Sequence, residues 1–266
     1  MSFLDALPER YRLILCDVWG VIHDGRRLYP GAAERLRQWQ AQGRCVILVT
    51  NAPRPADAVE SYLERVGMAD RAWDAVASSG EAGITALEKL GRPVGFVGTG
   101  MDREILEARG IAVDESGVAD HVVCTGFADK QERVEDYGDD LRAMERRGAT
   151  LHCLNPDRVV VYGGALYPCA GALADAYEAI GGTVRWYGKP YPAIYQYALA
   201  QGGEPAPGEV LAIGDSIQTD MAGAHAMGFD TVFVRGGIHA EDDIAALAAE
   251  HGLSDWTPVA IVDSIG

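Results

Sequence analysis

Residues 13–21 read LILCDVWGV, in which an apolar run ends at the carboxylate of Asp17. Two more short apolar runs of this kind occupy residues 45–49 and 210–213. Continuous apolar runs are typical of parallel strands that helices cover on both faces. Segments long enough for helices separate these runs, as at residues 31–41. The alternation predicts an α/β protein built on a doubly wound parallel sheet.

The predicted elements fall into two groups along the chain. The terminal segments supply strands at residues 13–16, 45–49, 183–187, 210–213, 231–234 and 259–262, and helices at 31–41, 55–66, 193–200, 221–227 and 242–251. The middle supplies strands at 94–97, 121–124 and 150–154, and helices at 103–108 and 134–146. Periodicity alone leaves two alternatives for the middle block: it completes the same sheet, or it forms an inserted domain.

The charge balance argues against several classes of partner. The 266 residues carry 39 acidic and 23 basic side chains, which gives a net charge of −16. Nucleic acids and anionic membranes are bound through basic patches, so we expect neither as a partner. No apolar stretch approaches the roughly 18 residues of a membrane span, and no signal peptide is evident. Five cysteines without a C-x-x-C pair indicate a reducing compartment, and we expect a cytoplasmic protein.

Acidic, basic and hydroxyl side chains follow several of the predicted strands. Asp17, Thr50, Lys189, Asp215 and Asp220 all stand at or shortly after strand ends. Open parallel sheets bind their ligands at the carboxyl ends of their strands. Carboxylates with a lysine and a hydroxyl suit a hard cation together with an anion, and Mg²⁺ usually shares the phosphate of a substrate. Each residue has a structural alternative, such as a helix cap for Asp220, but their coincidence at strand ends favours one common site.

These residues resemble the four motifs of the haloacid dehalogenase (HAD) superfamily and occur in the same order. Asp17 matches the nucleophilic aspartate, Thr50 the hydroxyl of motif two and Lys189 the lysine of motif three. Residues 214–220, Gly-Asp-Ser-Ile-Gln-Thr-Asp, match the acidic fourth motif. Together the motifs extend over nearly the whole chain.

Three further segments resemble the class IIA subgroup of this superfamily: Asn-Pro-Asp at 155–157, Gly-Ala-Leu at 171–173 and Gly-Lys-Pro at 188–190. The resemblance implies a Rossmann-like HAD core formed by residues 1–80 and 183–266. It implies an α/β cap domain, residues 81–182, inserted between motifs two and three, and a homodimer formed through that cap. Pyridoxal, p-nitrophenyl, phosphoglycolate and sugar-phosphate phosphatases belong to this subgroup.

The resemblance implies a phosphatase with a covalent intermediate. Asp17 would attack a small phosphorylated metabolite to give an aspartyl-phosphate, which divides one hard transfer into two easier steps. Lys189 would compensate the charges of the nucleophile and the phosphate. Thr50 would donate to a phosphoryl oxygen, with the amide of Asn51 beside it.

The same resemblance implies an Mg²⁺ site. Its ligands would be the side chains of Asp17 and Asp215 and the backbone carbonyl of Trp19. Asp220 would lie behind these ligands and orient waters or Lys189.

One position departs from the phosphatase pattern of the superfamily. HAD phosphatases carry a second aspartate two residues after the nucleophile as general acid, and this chain has Trp19 there. General acid catalysis is typically worth about 10²–10⁴-fold, and an indole cannot protonate an alkoxide. His23 or Asp24 could supply the proton, although a turn around Asp24 and Gly25 is the favoured interpretation of both. Alternatively the leaving group needs no proton, as with phenol-like or acyl phosphates.

Three other functions stay open at this point. Trp19 also fits a phosphate-binding or regulatory HAD protein with little turnover, or an HAD hydrolase that acts on something other than a phosphoester. Residues 95–100, Gly-Phe-Val-Gly-Thr-Gly, faintly suggest a nicotinamide-dependent oxidoreductase, but their spacing is not that of the G-x-G-x-x-G fingerprint.

Overall fold

The computed structural model describes residues 2–129, 132–162, 165–235 and 243–266, in which strands and helices alternate along most of the chain. The strands are β1 (Leu13–Asp17), β2 (Cys45–Thr50), β3 (Ala75–Ser78), β4 (Gly95–Val97), β5 (His121–Cys124), β6 (Thr150–Cys153), β7 (Val159–Tyr162), β8 (Ala165–Pro168), β9 (Thr183–Trp186), β10 (Val210–Gly214), β11 (Asp230–Val234) and β12 (Ala260–Val262). The helices are α1 (Ala32–Ala41), α2 (Ala56–Arg65), α3 (Ser79–Glu88), α4 (Gly100–Ala108), α5 (Gly138–Arg146), α6 (Ala170–Ala179), α7 (Pro192–Gln201), α8 (Ala222–Ala226) and α9 (Ile244–Glu250). None of the helices in these ranges combines the length and the apolar content that a bilayer crossing requires.

Six strands form one large sheet in the order β12-β11-β10-β1-β2-β3. β1 pairs in parallel with β10 on one side and with β2 on the other. Every residue of β1 and of β10 is buried, which explains their unbroken apolar sequences, since both faces of the sheet are covered. The chain runs outward from β1 through β2 to β3 and later returns on the other side at β10. The strand order therefore reverses at β1, and the carboxyl end of β1 is where such a sheet forms its ligand crevice.

The chain divides into two compact units. The first comprises Met1–Thr50, Ala56–Ala77 and Lys189–Gly266, and the second Asn51–Pro55 and Ser78–Gly188. The large sheet lies in the first unit, except for Ser78, the last residue of β3, which belongs to the second unit. The second unit has a separate parallel sheet in the order β4-β5-β6-β9 and an antiparallel hairpin of β7 and β8. Of the two alternatives for the middle block, completion of the large sheet is therefore wrong.

Each unit has its own apolar core. In the first, Leu15 of β1 and Ile47 of β2 pack with the buried Tyr195 of α7. In the second, Leu151 of β6 packs with the fully buried Tyr177 of α6. The Tyr177 hydroxyl donates to the Ala149 carbonyl at 2.7 Å, so a large aromatic ring is buried without an unsatisfied polar atom. The core of the first unit fixes β1, β2 and β10, whose ends carry polar residues described below.

The expected place of one strand in the architecture is wrong. Residues 183–187 were expected in the core with the terminal segments, but β9 pairs with β6, with Thr183 opposite Thr150. The second unit accordingly extends to Gly188, beyond the expected cap boundary at residue 182. β9 alternates exposed and half-buried side chains, as an edge strand does. A four-residue strand does not encode which sheet it joins, because its partner lies far away in the sequence.

The remaining predicted elements agree with the structure to within a few residues. The helix expected at 221–227 is α8, and a π-helical turn, Ile217–Met221, comes directly before it. The segment expected as one helix at 134–146 begins with a 3₁₀ turn, Val134–Tyr137, before α5. Residue 242, the expected start of the last helix, lies outside the described residues. Sequence reasoning did not predict β3, α3, α6 or the hairpin.

Candidate active site

The carboxyl ends of β1, β2 and β10 carry three of the residues singled out from the sequence. Asp17 is the last residue of β1, Thr50 is the last of β2, and Asp215 follows the last residue of β10. The register places Asp17 opposite Val49, one residue before Thr50. All three residues therefore lie at the edge of the sheet where the strand order reverses.

A buried lysine joins two of the acids at this edge. The Nζ atom of Lys189 donates to Oδ1 of Asp17 at 2.5 Å and to Oδ1 of Asp220 at 2.7 Å. None of the three side chains is more than 8% exposed. An ammonium group shared by two carboxylates offsets part of the cost of burying them, and its removal would leave them uncompensated.

Burial and ion pairing act in opposite directions on these groups. Burial raises the pKa of Asp17 to about 6, and the Lys189 charge opposes this rise. Burial also raises the pKa of Asp220 to about 7, with the charge of Asp17 adding to the rise. Burial by itself would lower the pKa of Lys189, but the two carboxylates outweigh it and raise that pKa well above its usual value. At neutral pH Lys189 is therefore a cation, and its charge favours the ionised form of Asp17, which is the form that a nucleophile needs.

Asp215 completes an acidic cluster. One carboxylate oxygen from each of Asp17, Asp215 and Asp220 lies within 4.8 Å of the other two. Asp215 packs against Gly20, where an added Cβ would lie 1.9 Å from Oδ2 of Asp215. Gly20 also has a φ of +86°, so this close approach requires glycine there. Carboxylate oxygens gathered at this spacing are the donor set of a hard divalent cation, and these residues fit Mg²⁺.

Asp220 is oriented by contacts to both of its oxygens. Oδ1 accepts from Lys189, and Oδ2 accepts from the backbone N–H of Ser216 at 3.3 Å. Its carboxyl group packs against Gly214, where an added Cβ would lie 2.2 Å from the carboxyl carbon. The Ser216 contact points back toward the start of the π-helical turn, so the alternative that Asp220 merely caps the following helix is wrong.

The indole of Trp19 packs against other residues of the loop that follows β1. Its ring meets the imidazole of His23 edge-on, with ring centroids 5.5 Å apart. It also covers Gly25, where an added Cβ would lie 2.4 Å from the indole. The hydroxyl of Tyr62 donates to the carbonyl of Gly25 at 2.7 Å and holds this part of the loop. Trp19 nevertheless keeps 43% of its surface exposed.

His23 and Asp24 both build the same loop. Nδ1 of the buried His23 accepts from the N–H of Gly25 at 2.9 Å, and burial lowers the pKa of this histidine. Oδ1 of Asp24 accepts from the backbone N–H groups of Arg27 and Arg26 at 2.9 and 2.8 Å, and these bonds lower the pKa of Asp24. The turn predicted for His23 and Asp24 is confirmed, and both side chains act in it as hydrogen-bond acceptors.

Asn51 follows Thr50 in the chain but belongs to the second unit. Its Nδ2 atom donates to Oδ1 of Asp157 at 2.7 Å. The N–H of Asp157 donates in turn to Oδ1 of Asn155 at 3.1 Å, which forms the tight Asn-Pro turn expected from the sequence. The role of Asn51 in phosphate binding stays a prediction, and its carboxylate partner was not foreseen.

Comparisons with known proteins agree with this arrangement. Residues 14–112 match the family model for haloacid dehalogenase-like hydrolases, and residues 186–266 match a HAD-hydrolase-like model. A solved hydrolase of the haloacid dehalogenase-like family from Brucella suis 1330 has a TM-score of 0.82 and 35% identity, with 98% of each chain covered. The chain belongs to the haloacid dehalogenase-like hydrolase family.

Phosphatases are among the relatives of this HAD hydrolase. The D-glycerol 3-phosphate phosphatase of Mycobacterium tuberculosis is 28% identical over 90% of this chain and 67% of its own length. The solved p-nitrophenyl phosphatase from Archaeoglobus fulgidus is 25% identical, with a TM-score of 0.78 over 96% of this chain and 97% of its own. The predictions of a class IIA HAD hydrolase and of its α/β fold class are confirmed, and the oxidoreductase alternative finds no support.

Sequence reasoning did not foresee how three residues shape the site. Gly20 admits Asp215, Gly214 admits Asp220, and Tyr62 holds the loop beneath the indole. Each glycine stands in or beside a motif that was already singled out, so the need for close packing could have been inferred there. Tyr62 offers no such signal, because its partner lies 37 residues away in the sequence.

Proposed function

We propose that this HAD hydrolase is an Mg²⁺-dependent phosphatase of a small phosphorylated metabolite, with Asp17 as its nucleophile. The observation that carries the proposal is the buried ammonium group of Lys189, 2.5 Å from an oxygen of Asp17. A carboxylate can approach an anionic phosphoryl group only where positive charge compensates both. The names of the relatives, a D-glycerol 3-phosphate phosphatase and a p-nitrophenyl phosphatase, support this class of reaction.

The proposed reaction has two steps. In the first, an oxygen of Asp17 bonds to phosphorus while the bond from phosphorus to the leaving group breaks. Lys189 holds the attacking carboxylate in position, and Thr50 and Asn51 donate hydrogen bonds to phosphoryl oxygens. In the second step, water attacks the phosphorus of the aspartyl-phosphate, inorganic phosphate leaves, and the carboxylate of Asp17 is restored.

The acidic cluster is proposed to hold the metal ion. Asp17 and Asp215 would bind Mg²⁺ through their carboxylates, together with the backbone carbonyl of Trp19. When bound, the ion supplies positive charge to the phosphoryl oxygens. Asp220 keeps its bond to Lys189 and orients that lysine. The fit of Asp215 against Gly20 supports this arrangement, because it brings a carboxylate beside the residue that follows Trp19.

The second unit is proposed to be the cap domain. In the chain it is inserted between the motif-two hydroxyl at Thr50 and the motif-three lysine at Lys189, with only Ala56–Ala77 returning to the first unit. This order supports a domain that selects the substrate while the first unit supplies the reacting groups. A homodimer through this unit and a location in the cytoplasm stay predictions.

Release of inorganic phosphate tests the proposal. The panel contains aryl, acyl, sugar and nucleotide phosphates, each measured with Mg²⁺ and with EDTA. Asp17→Asn is the matched control, because asparagine keeps the shape of the side chain but cannot act as the nucleophile. We expect Mg²⁺-dependent release that the variant lowers by at least about 10³-fold.

Two results would contradict this assignment. Equal release by Asp17→Asn would show that Asp17 is not the nucleophile or that a contaminant is responsible. Binding of Mg²⁺ and phosphate analogues without any release by the wild type would favour the phosphate-binding protein that the sequence left open.

A further inference from the structure

The fate of the leaving group is the part of the reaction that the acidic cluster does not explain. When Asp17 bonds to phosphorus, the P–O bond to the leaving group breaks and its electron pair stays on the leaving oxygen. An alkoxide formed in this way needs a proton from a nearby acid, whereas a phenolate, an enolate or a carboxylate is stable as the anion. The proton donors near Asp17 therefore decide which compounds the enzyme can cleave.

The charged residues of the cluster gather around the nucleophile. In phosphoryl transfer the attacking and leaving oxygens lie roughly in line, on opposite sides of phosphorus. Lys189 contacts the carboxylate of Asp17 directly, and Asp220 contacts Lys189. Asp215 also places an oxygen within 4.8 Å of one on Asp17. Groups held against the attacking oxygen are badly placed to protonate the oxygen that departs from the far side.

Residues 18–24, which directly follow β1 and are all described in the structure, offer no acid in their place. His23 is 2% exposed, and its Nδ1 accepts from the N–H of Gly25. Asp24 accepts two backbone hydrogen bonds with Oδ1, and its Oδ2 lies 3.5 Å from the guanidinium of Arg27. All three contacts of Asp24 favour a carboxylate over a carboxylic acid. The residues between Asp17 and His23 are Val-Trp-Gly-Val-Ile, which have no side chain acidic enough to protonate a leaving group.

Trp19 is built into this loop. Its indole lies so close to Gly25 that a Cβ there would come within 2.4 Å, and its edge-on contact with His23 fixes the ring from a second side. Tyr62 holds the carbonyl of Gly25, which itself adopts a φ of +87°. The loop is thus shaped around an indole, and Trp19, 43% exposed, presents apolar surface two residues from the nucleophile.

We propose that this enzyme cleaves phosphoryl compounds whose leaving group departs as an anion, that is, aryl, enol or acyl phosphates, and that Trp19 determines this specificity. The proposal rests on the phosphatase function proposed above and names its substrate class. The leaving group carries away the electron pair of the broken P–O bond and takes up a proton, where it needs one, from bulk water. Alkyl phosphates, whose alkoxides cannot depart unassisted, are poor substrates.

The test is the dependence of kcat/KM on the acidity of the leaving group. The substrates are a series of substituted phenyl phosphates of graded phenol pKa, acetyl phosphate, and two alkyl phosphates. The proteins are the wild type, Trp19→Asp and the matched variant Trp19→Asn, which has nearly the same shape as the aspartate but no proton to give. We expect a steep decline of the wild-type kcat/KM as the phenol becomes less acidic, with the alkyl phosphates lowest. We expect Trp19→Asp to exceed Trp19→Asn on alkyl phosphates by about 10²-fold or more, and both variants to stay within about tenfold of each other on the most acidic phenol.

The outcomes separate this proposal from the phosphatase function. Release that depends on Asp17 but is similar for alkyl and phenyl phosphates would overturn the inference and leave the phosphatase function standing. Equal activity of Trp19→Asp and Trp19→Asn on alkyl phosphates would also overturn it. No Asp17-dependent release from any substrate would overturn both. The wild-type series needs no variant, so the inference can be refuted even if a substitution at position 19 prevents folding.

Discussion

His152 on β6 is a buried imidazole with both ring nitrogens engaged. Nε2 lies 2.9 Å from Nδ1 of His121, and Nδ1 lies 2.9 Å from the hydroxyl of Tyr187. The ring of Tyr187 also stacks on the imidazole. Burial lowers the pKa of His152 to about 4, with the charges of His121 and Arg185 adding to the effect. We therefore expect acid to destabilise the second unit through this residue.

The size and direction of the effect follow from the two pKa values. The ordinary value of 6.5 applies to the unfolded chain, and the folded value is about 4. Between these values the unfolded chain binds the proton more readily, so stability is constant above about pH 6.5 and falls as the pH drops toward 4. One pKa unit corresponds to about 1.4 kcal/mol, so the loss approaches about 3 kcal/mol near pH 4. At pH 5 it is already about 2 kcal/mol by the same relation.

The comparison variant is His152→Gln, which cannot titrate. It gives up hydrogen bonds worth about 1 kcal/mol each, so at pH 7.5 it should be less stable than the wild type by about 2 kcal/mol. Because it escapes the protonation penalty, the two proteins should become equally stable near pH 5, and below that pH the order should reverse. Hydrogen exchange of peptides covering β5 and β6, corrected for intrinsic rates at each pH, measures the opening free energy of this unit locally.

The control is His225→Gln, which removes a partly exposed imidazole from the first unit. It should leave the pH dependence of exchange in β5 and β6 unchanged. A constant difference between wild type and His152→Gln from pH 7.5 to pH 4.5 would refute the reasoning. It would mean that the folded state accommodates the imidazolium as well as water does.

Two further substitutions test the packing and charge of the site. Gly25→Ala should shift the tryptophan emission and lower the free energy of unfolding by about 1–3 kcal/mol, because the new Cβ meets the indole of Trp19. Gly43→Ala is the matched control for the backbone cost alone, because Gly43 has a similar φ of +80° and an added Cβ there has no neighbouring atom within 4 Å. Lys189→Met should lose activity and, in EDTA, about 3 kcal/mol of unfolding free energy. Mg²⁺ should restore part of the lost stability. The control, Lys89→Met, replaces an exposed lysine and should change neither the activity nor the stability. Equal effects of the two glycine variants, or of the two lysine variants, would contradict these expectations.

The polar residues at the strand ends were the most predictable part of this protein. Asp17 and Asp215 are marked by short-range patterns, an apolar run followed at once by an acid, and the parallel register then brings them to one edge. Lys189 was also identified because it follows a predicted strand, although that strand, β9, belongs to the other sheet. The resemblance implied that Lys189 acts beside Asp17 and Asp220, but the depth of its burial between them depends on packing that the sequence does not encode.

The second unit was harder to predict, for identifiable reasons. α6 (Ala170–Ala179) is rich in small residues and has little contrast between its faces, so periodicity does not reveal it. α3 (Ser79–Glu88) is buried over most of its length, so it also lacks the contrast between a polar and an apolar face that would reveal a helix. The Ser78 side chain that caps it was nevertheless a usable signal. The sheet to which β9 belongs was misassigned, because strand pairing is a non-local property that a short segment does not carry.

The geometry around residue 19 separates two roles that one position can play. Its backbone lies beside Gly20, which receives the carboxylate of Asp215, while its side chain covers Gly25. The backbone carbonyl proposed above as an Mg²⁺ ligand is present whatever side chain stands at position 19. In the substrate preference proposed above, the side chain decides whether the leaving oxygen meets an acid or an apolar surface. A substitution at Trp19 can thus change which phosphoryl compounds are cleaved without dismantling the charges that hold the phosphoryl group.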